Sequence, residues 1–507
     1  MNIVFLHSYI SVRDPEIYLS EPLGLICLAS HLKQAFGDQV NVTILDLYAK
    51  EARHPHRRND LFLLGIDDDA YIKTELEKLS PDLIGISCNF TAYFKDALEV
   101  AGKIKRIMTT VPIVMGGAHP TIEAEAILQE NNFVDFVVRG EGEITLEHLV
   151  RAIRGECTLE TVMGLSFRNA DRTVVSNPAR ELIKDLDILP IPDRTFIDMD
   201  RYTYFNKECV WYVRKEPVAT IMTTRGCPYN CIFCSTKVVW SRNWRPRSLA
   251  RVFEEIELLV SKYGIREIVI FDDQFCTKKE RIHEFCDYFI KRGLNLCFSV
   301  DSGTSPWLLD NELLVKMRKA GFYSLRFPIE SGCQKTLDFI RKPVNLQKTR
   351  ELIATANSLG YWTSANFIIG FPYETKEEIM ESIQYAYDSA LDFTSFLIAK
   401  PNAGSELYET YKKEGLLDKK IVHASHFYRS DYDTTTMTAG ELNKIIEKAS
   451  SGWFVHKALF YVKPKNFVDH LLPKLRTIDD VRYLLKICQR LFRKKIIPLI
   501  MKKNHAS

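Results

Sequence analysis

The chain has 507 residues, of which 46% are hydrophobic and 26% are charged, and its formal net charge is +3. These fractions are those of an ordinary globular protein, and the length is sufficient for two or three domains. The near balance of charge excludes a global electrostatic argument for a nucleic acid or an acidic partner.

The twelve cysteines occur in a chain whose first residues enter a strand-like apolar run without a basic leader. We therefore expect reduced thiols and a cytoplasmic location rather than a disulfide framework. No apolar run approaches the roughly 20 residues that span a bilayer, so membrane contact is expected to be peripheral at most.

Short apolar runs alternate with amphipathic segments over residues 1–155, which we predict to be the first domain. Strands are predicted at 3–7, 41–46, 82–88, 112–117 and 134–140, with a helix at 23–36 and further helical stretches between most strands. Such alternation predicts a doubly wound, flavodoxin-like parallel sheet. Sheets of this class bind ligands beyond the carboxyl ends of their strands.

Glycines and polar residues follow four of these predicted strands, at 7–8, 87–89, 116–121 and 139–143. Glycine lets a backbone approach a ligand closely or form turns that side chains forbid. Each glycine pair alone is explained by turn formation. Together, after successive strands of one sheet, they favour a large flat ligand.

Residues 156–214 are predicted to form a linker that contains a short β-pair at 165–168 and 173–176, followed by a proline-rich stretch at 189–193. From 215 to 401 the alternation resumes, with strands predicted at 218–223, 267–271, 296–300, 324–328, 363–369 and 393–398 and the clearest helices at 249–263 and 278–292. Six such units predict a partial (β/α)6, TIM-like barrel, whose catalytic groups gather at the strand carboxyl ends.

Three closely spaced cysteines, Cys227, Cys231 and Cys234, follow the first barrel strand. Thiolates so spaced can each hold a different iron of one [4Fe-4S] cluster and leave the fourth iron open to a substrate. A structural zinc site is the alternative, but it requires four ligands with paired spacing. Chance clustering is disfavoured because Gly226 and Pro228 shape the loop around the first thiol.

Three further stretches follow barrel strands at the same predicted end: Asp272 and Asp273, Glu330 and Ser331, and Gly370 with Glu374. Each one alone is an ordinary loop sequence. Cys227, Cys231 and Cys234 resemble the cluster motif of the radical S-adenosylmethionine (SAM) superfamily. The three later stretches, in this order after the cysteines, resemble the SAM-binding features of the same superfamily.

The resemblance implies Phe233 against the adenine of SAM, Asp272 or Asp273 near the methionyl group and Glu330 near the ribose or amino group. Ser331, Gly370 and Glu374 are the other SAM contacts that it implies. The second-strand motif here is Asp-Asp-Gln-Phe, where many relatives have Gly-Gly-Glu.

The Gly-Gly-x-His-Pro-Thr and Arg-Gly-Glu-Gly-Glu stretches of the first domain resemble the cobalamin-binding domain of one large branch of this superfamily. By position, the resemblance implies cobalamin contacts from Ser87, Gly116, Gly117, His119 and Gly140. The Asp-x-His-x-x-Gly motif that supplies a cobalt ligand in cobalamin mutases is absent. We therefore expect His119 near the cofactor and no protein histidine on cobalt.

Residues 402–507 are predicted to form a helical cap, with helices near 406–414, 439–458 and 481–492. Its aromatic residues either close the barrel over an apolar substrate or form a helical core. Basic residues in its final helix and tail favour either an anionic membrane surface or, as the commoner case at termini, a solvated tail.

The function implied by the resemblance is cobalamin-dependent C-methylation of an unactivated carbon after a 5′-deoxyadenosyl radical has abstracted hydrogen. Oxidative cyclisation or ring rearrangement, as in the anaerobic cyclase of chlorophyll biosynthesis, is the alternative enzyme activity. A cobalamin-binding sensor or carrier is the alternative of another class. The expected partners are a small-molecule substrate of apolar or lipid-like character and a reducing donor such as flavodoxin or ferredoxin, with no nucleic acid.

Overall fold

The structure is a computed structural model that describes residues 1–13, 20–52, 54–203, 213–300, 304–417 and 428–491. The predicted basic tail beyond residue 491 lies outside the described residues. The strands are β1 (Asn2–His7), β2 (Ile10–Val12), β3 (Asn41–Asp46), β4 (His56–Arg58), β5 (Leu61–Leu64), β6 (Leu83–Ser87), β7 (Ile113–Gly116), β8 (Phe136–Val138), β9 (Leu165–Arg168), β10 (Val174–Ser176), β11 (Val218–Ile221), β12 (Thr224–Arg225), β13 (Arg245–Pro246), β14 (Glu267–Ile270), β15 (Cys297–Val300), β16 (Phe322–Glu330), β17 (Trp362–Ile369) and β18 (Phe393–Ile398).

The helices connect most of these strands. They are α1 (Leu23–Phe36), α2 (Asp69–Leu79), α3 (Phe94–Ile107), α4 (Ala118–Ile122), α5 (Ala124–Glu130), α6 (Gly142–Ile153), α7 (Met199–Thr203), α8 (Thr236–Trp240), α9 (Leu249–Tyr263), α10 (Lys279–Arg292), α11 (Asn311–Ala320), α12 (Gln334–Phe339), α13 (Leu346–Ser358), α14 (Lys376–Asp388), α15 (Glu406–Lys413), α16 (Ala439–Val462), α17 (Pro464–Asn466) and α18 (Ile478–Leu491).

The first sheet has the strand order β10-β9-β8-β7-β6-β1-β3. Its strands from β3 to β8 pair in parallel, and the chain changes direction across the sheet between β1 and β6. This order is flavodoxin-like, and its switch point lies at the carboxyl ends of β1 and β6. Buried aliphatic runs on both faces produce the sheet, as in other parallel sheets. The predicted doubly wound sheet is confirmed.

Two features of this region differ from the sequence prediction. The β-pair expected in a linker is β9 and β10, and β9 pairs antiparallel with β8, so the pair forms the edge of the first sheet. A small antiparallel sheet of β2, β5 and β4 has no predicted counterpart. Its strands have three or four residues each, which is too short for an alternating pattern to be recognised.

The second large sheet is the predicted six-stranded parallel one, in the sequential order β11-β14-β15-β16-β17-β18. Its apolar residues form the largest core cluster of the molecule, with helices α9 to α14 packed outside. Sequential parallel order with a helix after each strand produces a partial barrel. The carboxyl ends of all six strands therefore meet at one end, where the predicted SAM loops lie.

The C-terminal helices pack on both ends of this barrel. Tyr411 of α15 is buried and donates a hydrogen bond to the carbonyl oxygen of Gly370, and Leu442 of α16 lies against that glycine. Tyr483 of α18 packs against Trp362 at the amino end of β17. Buried Trp453 and Tyr411 belong to the apolar core cluster of the barrel, and the role of the other aromatic residues of the cap stays a prediction. In the described part of the chain, no helix is both long and apolar enough to cross a membrane.

Candidate active site

The three-cysteine loop begins directly after β12. Gly226 has a φ of +86°, and a Cβ at this position would lie 2.3 Å from the carbonyl oxygen of Asn243. Only glycine fits both constraints, so the turn into Cys227 is fixed by its backbone. Cys227, Cys231 and Cys234 are all half-buried.

The three thiols interact electrostatically with one another. Burial, together with the neighbouring Cys234 and Cys231, raises the pKa of Cys227 to about 11. Burial also raises the pKa of Cys231, while the Lys342 ammonium opposes that rise. A bound iron cluster requires thiolates, so cluster binding and proton release are coupled at this loop.

The thiols neighbour one another but do not converge on one point. Within the stretches that the structure describes, no three His, Cys, Asp or Glu side chains lie close enough to hold a single metal ion. Thiolates that each ligate a different iron of a cube need to surround a larger group instead. Three thiolates at this spacing suit a [4Fe-4S] cluster, with one thiolate on each of three irons.

A buried ion pair lies beside this loop. Lys342 Nζ is 3.1 Å from Glu330 Oε1, and its ammonium is 5.8 Å from the ring centroid of Phe233. Glu330, the last residue of β16, has a φ of +70°, a left-handed conformation that costs a non-glycine residue about 1–3 kcal/mol. Strain of this kind is typical of functional sites. Lys342 was not singled out from the sequence, since it lies in an ordinary loop after α12.

The two neighbouring aspartates after β14 have different environments. Asp272 is fully buried and accepts hydrogen bonds from the backbone N–H and hydroxyl of Thr223, at 2.6 and 2.5 Å. Asp273 is half-buried, and burial followed by the Asp272 charge raises its pKa to about 6. The backbone N–H of Gly226 donates to Asp273. Asp273 therefore faces the cysteine loop, whereas Asp272 joins β14 to the segment after β11.

Three other predicted SAM contacts have protein neighbours in the structure. The Ser331 hydroxyl lies 2.8 Å from the Ser382 hydroxyl of α14, and the carboxylate of Glu374 accepts the backbone N–H of Gly370 at 2.7 Å. Leu442 fills the space in front of Gly370, with its nearest atom 3.1 Å from where a Cβ would lie. These residues shape the strand-end loops, and direct contact with SAM stays a prediction for each of them.

Glu374 gives the site loop a measurable pH dependence. Burial raises its pKa from 4.5 to about 7, although hydrogen bonds from Gly370, Phe371 and Thr336 oppose the rise. Its contribution to stability is therefore fully present below pH 4.5 and is lost progressively as the pH rises to about 7.

Replacement of Glu374 by glutamine removes this titration. Relative to the variant, the wild type is expected to lose about 3 kcal/mol of unfolding free energy between those two pH values. Thermal unfolding of both proteins across this range measures the difference. Glu377→Gln, an exposed change at the start of α14, should follow the wild-type profile. Parallel profiles for wild type and Glu374→Gln would contradict the prediction.

The predicted cobalamin residues lie together at the carboxyl ends of β6, β7 and β8. A Cβ on Gly117, whose φ is +108°, would lie 2.6 Å from the carbonyl oxygen of Cys88, so this glycine joins the loops after β6 and β7. Ser87 and Gly116 are paired in register at the ends of those strands. Gly140 has a φ of +74°, and open space lies in front of its Cα.

His119 has a buried nitrogen without a partner at this edge of the sheet. Its Nδ1 is 3.1 Å from the Thr91 hydroxyl, whereas its buried Nε2 has no hydrogen-bond partner. Burial lowers the pKa of His119 to about 4, so the imidazole is neutral at physiological pH. An unpartnered buried nitrogen and an open glycine at adjacent strand ends fit a large polar-edged cofactor.

The two candidate cofactor loops lie next to each other across the interface between the sheets. Helix α4, which follows β7, packs on α8, which follows Cys234. Arg225 forms ion pairs with Glu141 at 2.7 Å and with Glu143 at 2.5 Å, and Arg245 pairs with Glu141 at 2.8 Å. We name these four residues the interdomain clamp. It joins the loop after β8 to the β12–β13 pair, whose two strands precede and follow the three cysteines in the chain.

Two family models match the chain. The model for a B12 binding domain matches residues 18–150, and the model for the radical SAM superfamily matches residues 221–386. The first match includes β3, β6, β7 and β8 of the first sheet, and the second includes β14 to β17 of the barrel.

The chain is 32% identical over 456 residues to a protein of Pyrococcus horikoshii named as an uncharacterised methyltransferase, with 88% of each chain covered. The chain belongs to the cobalamin-dependent radical SAM enzymes. It is also 31% identical to cytidylyl-2-hydroxyethylphosphonate methyltransferase of Streptomyces wedmorensis, over 81% of this chain and 80% of that protein. It is 28% identical to the anaerobic magnesium-protoporphyrin IX monomethyl ester cyclase of Rubrivivax gelatinosus, over 81% and 70% respectively.

A solved structure has the same fold over almost the whole chain. The cobalamin-dependent SAM radical enzyme OxsB, with aqua-cobalamin and SAM bound, aligns with a TM-score of 0.68 at 17% identity, covering 97% of this chain and 75% of that one. As a member of this family, the enzyme uses a [4Fe-4S] cluster, SAM and cobalamin. The predicted family, fold class and cofactors are confirmed.

Proposed function

We propose that this enzyme methylates an unactivated carbon of a small-molecule substrate. The observation that carries the proposal is the contact between the two candidate cofactor loops, through α4 and α8 and through the interdomain clamp. Methylation of such a carbon requires a radical generator and a methyl donor at one substrate. The interface between the two loops would bring these two groups close to one substrate, which supports the proposal.

We assign Cys227, Cys231 and Cys234 to the cluster and Ser87, Gly116, Gly117, His119 and Gly140 to cobalamin. When bound, the cluster supplies the electron that cleaves SAM to a 5′-deoxyadenosyl radical, and cobalamin supplies the methyl group. Phe233, Asp273 and Glu330 are the protein groups best placed to orient SAM. The apolar barrel wall excludes water from the reacting carbon, and the clamp fixes one cofactor loop relative to the other.

Methylation is favoured over cyclisation by the more similar relatives. Both relatives at 31% identity or above are methyltransferases by name, whereas the cyclase is 28% identical and extends further beyond the matched region. Cyclisation is the second candidate, since it uses the same cofactors. Mass spectrometry of the product separates them, because methylation adds one methyl group to the substrate.

The substrate's apolar or lipid-like character and an electron donor such as flavodoxin or ferredoxin are parts of the same proposal. A cluster that is reduced before each cleavage of SAM requires a one-electron donor of low potential. Candidate donors are compared by the rate of 5′-deoxyadenosine formation that each supports.

The proposal is tested by anaerobic reconstitution with iron, sulfide and cobalamin, followed by incubation with SAM and a strong reductant. We expect 5′-deoxyadenosine from the wild type and from Cys157→Ala, which alters an exposed thiol elsewhere. Cys231→Ala is expected to lose cluster absorbance and reduce the nucleoside to background, because one iron loses its ligand. Bound cobalamin without SAM cleavage in the wild type would instead support a carrier.

A further inference from the structure

The C-terminal helices expose an unusual concentration of apolar side chains. Of the 19 large apolar side chains that are exposed in the described part of the chain, nine lie between residues 455 and 485. Single exposed apolar residues are normal on soluble proteins, but a concentrated group marks an interaction surface. We name the exposed apolar side chains of residues 455–485 the C-terminal apolar surface.

Each long helix of this segment contributes one stripe. Val455, Leu459 and Val462 of α16 are 62%, 62% and 77% exposed and recur at i, i+4 and i+7. Ile478, Val481 and Leu485 bracket the first half of α18 at i, i+3 and i+7, with exposures of 67%, 43% and 62%. These spacings place the side chains of each stripe on one face of its helix.

Both stripes face away from the same end of the barrel. The opposite face of α18 buries Tyr483 and Ile487 in a cluster with Tyr323 and Trp362, at the amino ends of β16 and β17. Tyr461, from the end of α16, packs on this cluster as well. Because the inner faces of both helices contact this cluster, each outer stripe faces away from the end of the barrel opposite the candidate active site.

Basic residues accompany this surface. Residues 481–507 contain eight lysines and arginines and no aspartate or glutamate. In the described part, Lys463, Lys465, Arg482 and Lys486 are exposed. Two of these four cations have acidic partners, since Arg482 lies 3.5 Å from Asp479 and Lys486 lies 3.9 Å from Glu216. Asp480 is buried and Asp469 is exposed, so the excess of positive charge comes chiefly from the eight basic residues of 481–507.

We propose that the C-terminal apolar surface, with its basic residues, binds peripherally to an anionic lipid bilayer. Apolar stripes that insert at the headgroup boundary, flanked by lysine and arginine, are the features that such a surface recognises. A second copy of this chain fits less well, because a symmetric contact would bring two basic surfaces together. The active-site end of the barrel would then face the aqueous side.

The proposal is tested by flotation of the full-length protein with vesicles of phosphatidylcholine, with or without added phosphatidylglycerol. We expect the bound fraction to be at least about tenfold greater on the anionic vesicles and to fall at high salt. The double variant Leu459→Asp/Leu485→Asp should lose about tenfold of this binding, since both side chains are exposed.

Leu258→Asp/Val315→Asp is the matched control, because these side chains are exposed on α9 and α11 and should leave binding unchanged. Thermal unfolding establishes that both double variants are folded. Equal flotation with neutral and anionic vesicles, or unchanged binding by the Leu459 and Leu485 variant, would overturn the proposal. A lipid-free dimer that this variant dissociates in analytical ultracentrifugation would overturn it in favour of a second copy.

Discussion

Replacing Arg225 by methionine is expected to loosen the contact between the first sheet and the cysteine loop. The loss of one partner from a buried ion pair costs about 3–5 kcal/mol, because the other charge stays buried without compensation. Glu143 would be left in this state, since Arg225 is its ion-pair partner and holds its pKa below the ordinary value despite burial. Glu141 would retain Arg245.

The effect should concentrate at the two loops that the clamp joins. Arg225 lies two residues before Cys227, and Glu141 and Glu143 follow Gly140 of the candidate cobalamin loop. Hydrogen exchange of peptides that contain residues 139–143 and 224–235 is expected to accelerate by about 100-fold or more, the equivalent of that free energy. Formation of 5′-deoxyadenosine should fall as well, because the cysteine loop loses its fixed position.

A second variant separates an electrostatic cause from simple loss of packing. Arg225→Met/Glu143→Gln leaves no uncompensated carboxylate at position 143 and should recover much of the exchange protection. Arg58→Met removes a different arginine, which pairs with Glu99 at 2.6 Å within the first domain, and should leave both loop peptides unchanged. Normal exchange at both loops in Arg225→Met would show that the clamp does not position them.

The two sheets were predictable because each is a series of buried apolar strands separated by amphipathic helices. The edge pair β9–β10 was recognised as a pair, but its attachment to β8 was not, since pairing partners are not encoded by local pattern. The same is true of the C-terminal helices: periodicity indicated α16 and α18, whereas packing decides which aromatic residues they bury.

The candidate site also combines features that local sequence predicts with features that depend on tertiary packing. Cysteine spacing alone indicated the cluster loop, because that chemistry depends on residues close together in the chain. The difference between Asp272 and Asp273 depends on Thr223, which lies in the segment after β11. The Arg225–Glu141 pair joins residues 84 positions apart and has no local signature.

Replacing Lys342 by methionine is expected to make the cluster harder to reduce. The ammonium lies in a buried position, pairs with Glu330 and stabilises the thiolate of Cys231, so it is a fixed positive charge beside the candidate cluster. At a separation of about 10 Å and an effective dielectric constant of about 20, one charge changes the free energy of cluster reduction by roughly 1–2 kcal/mol. This change is equivalent to a shift in reduction potential on the order of 50–100 mV.

The shift is measured by a potentiometric titration of the reconstituted protein followed by electron paramagnetic resonance. Lys342→Met should lower the midpoint, slow the formation of 5′-deoxyadenosine by at least about tenfold and leave Glu330 without its cation. Lys342→Arg retains the charge and should keep the midpoint close to that of the wild type.

Lys474→Met is the matched control, because Lys474 is also buried and paired, with Asp392, but lies at the amino end of β18, opposite the cysteine loop. It should leave the midpoint unchanged. If Lys342→Met also leaves it unchanged while the nucleoside is lost, Lys342 acts by holding Glu330 in its left-handed conformation and not through its charge on the cluster. If Lys342→Met retains both the wild-type midpoint and nucleoside formation, both roles are excluded. The buried pair would then serve only to stabilise the loop after α12.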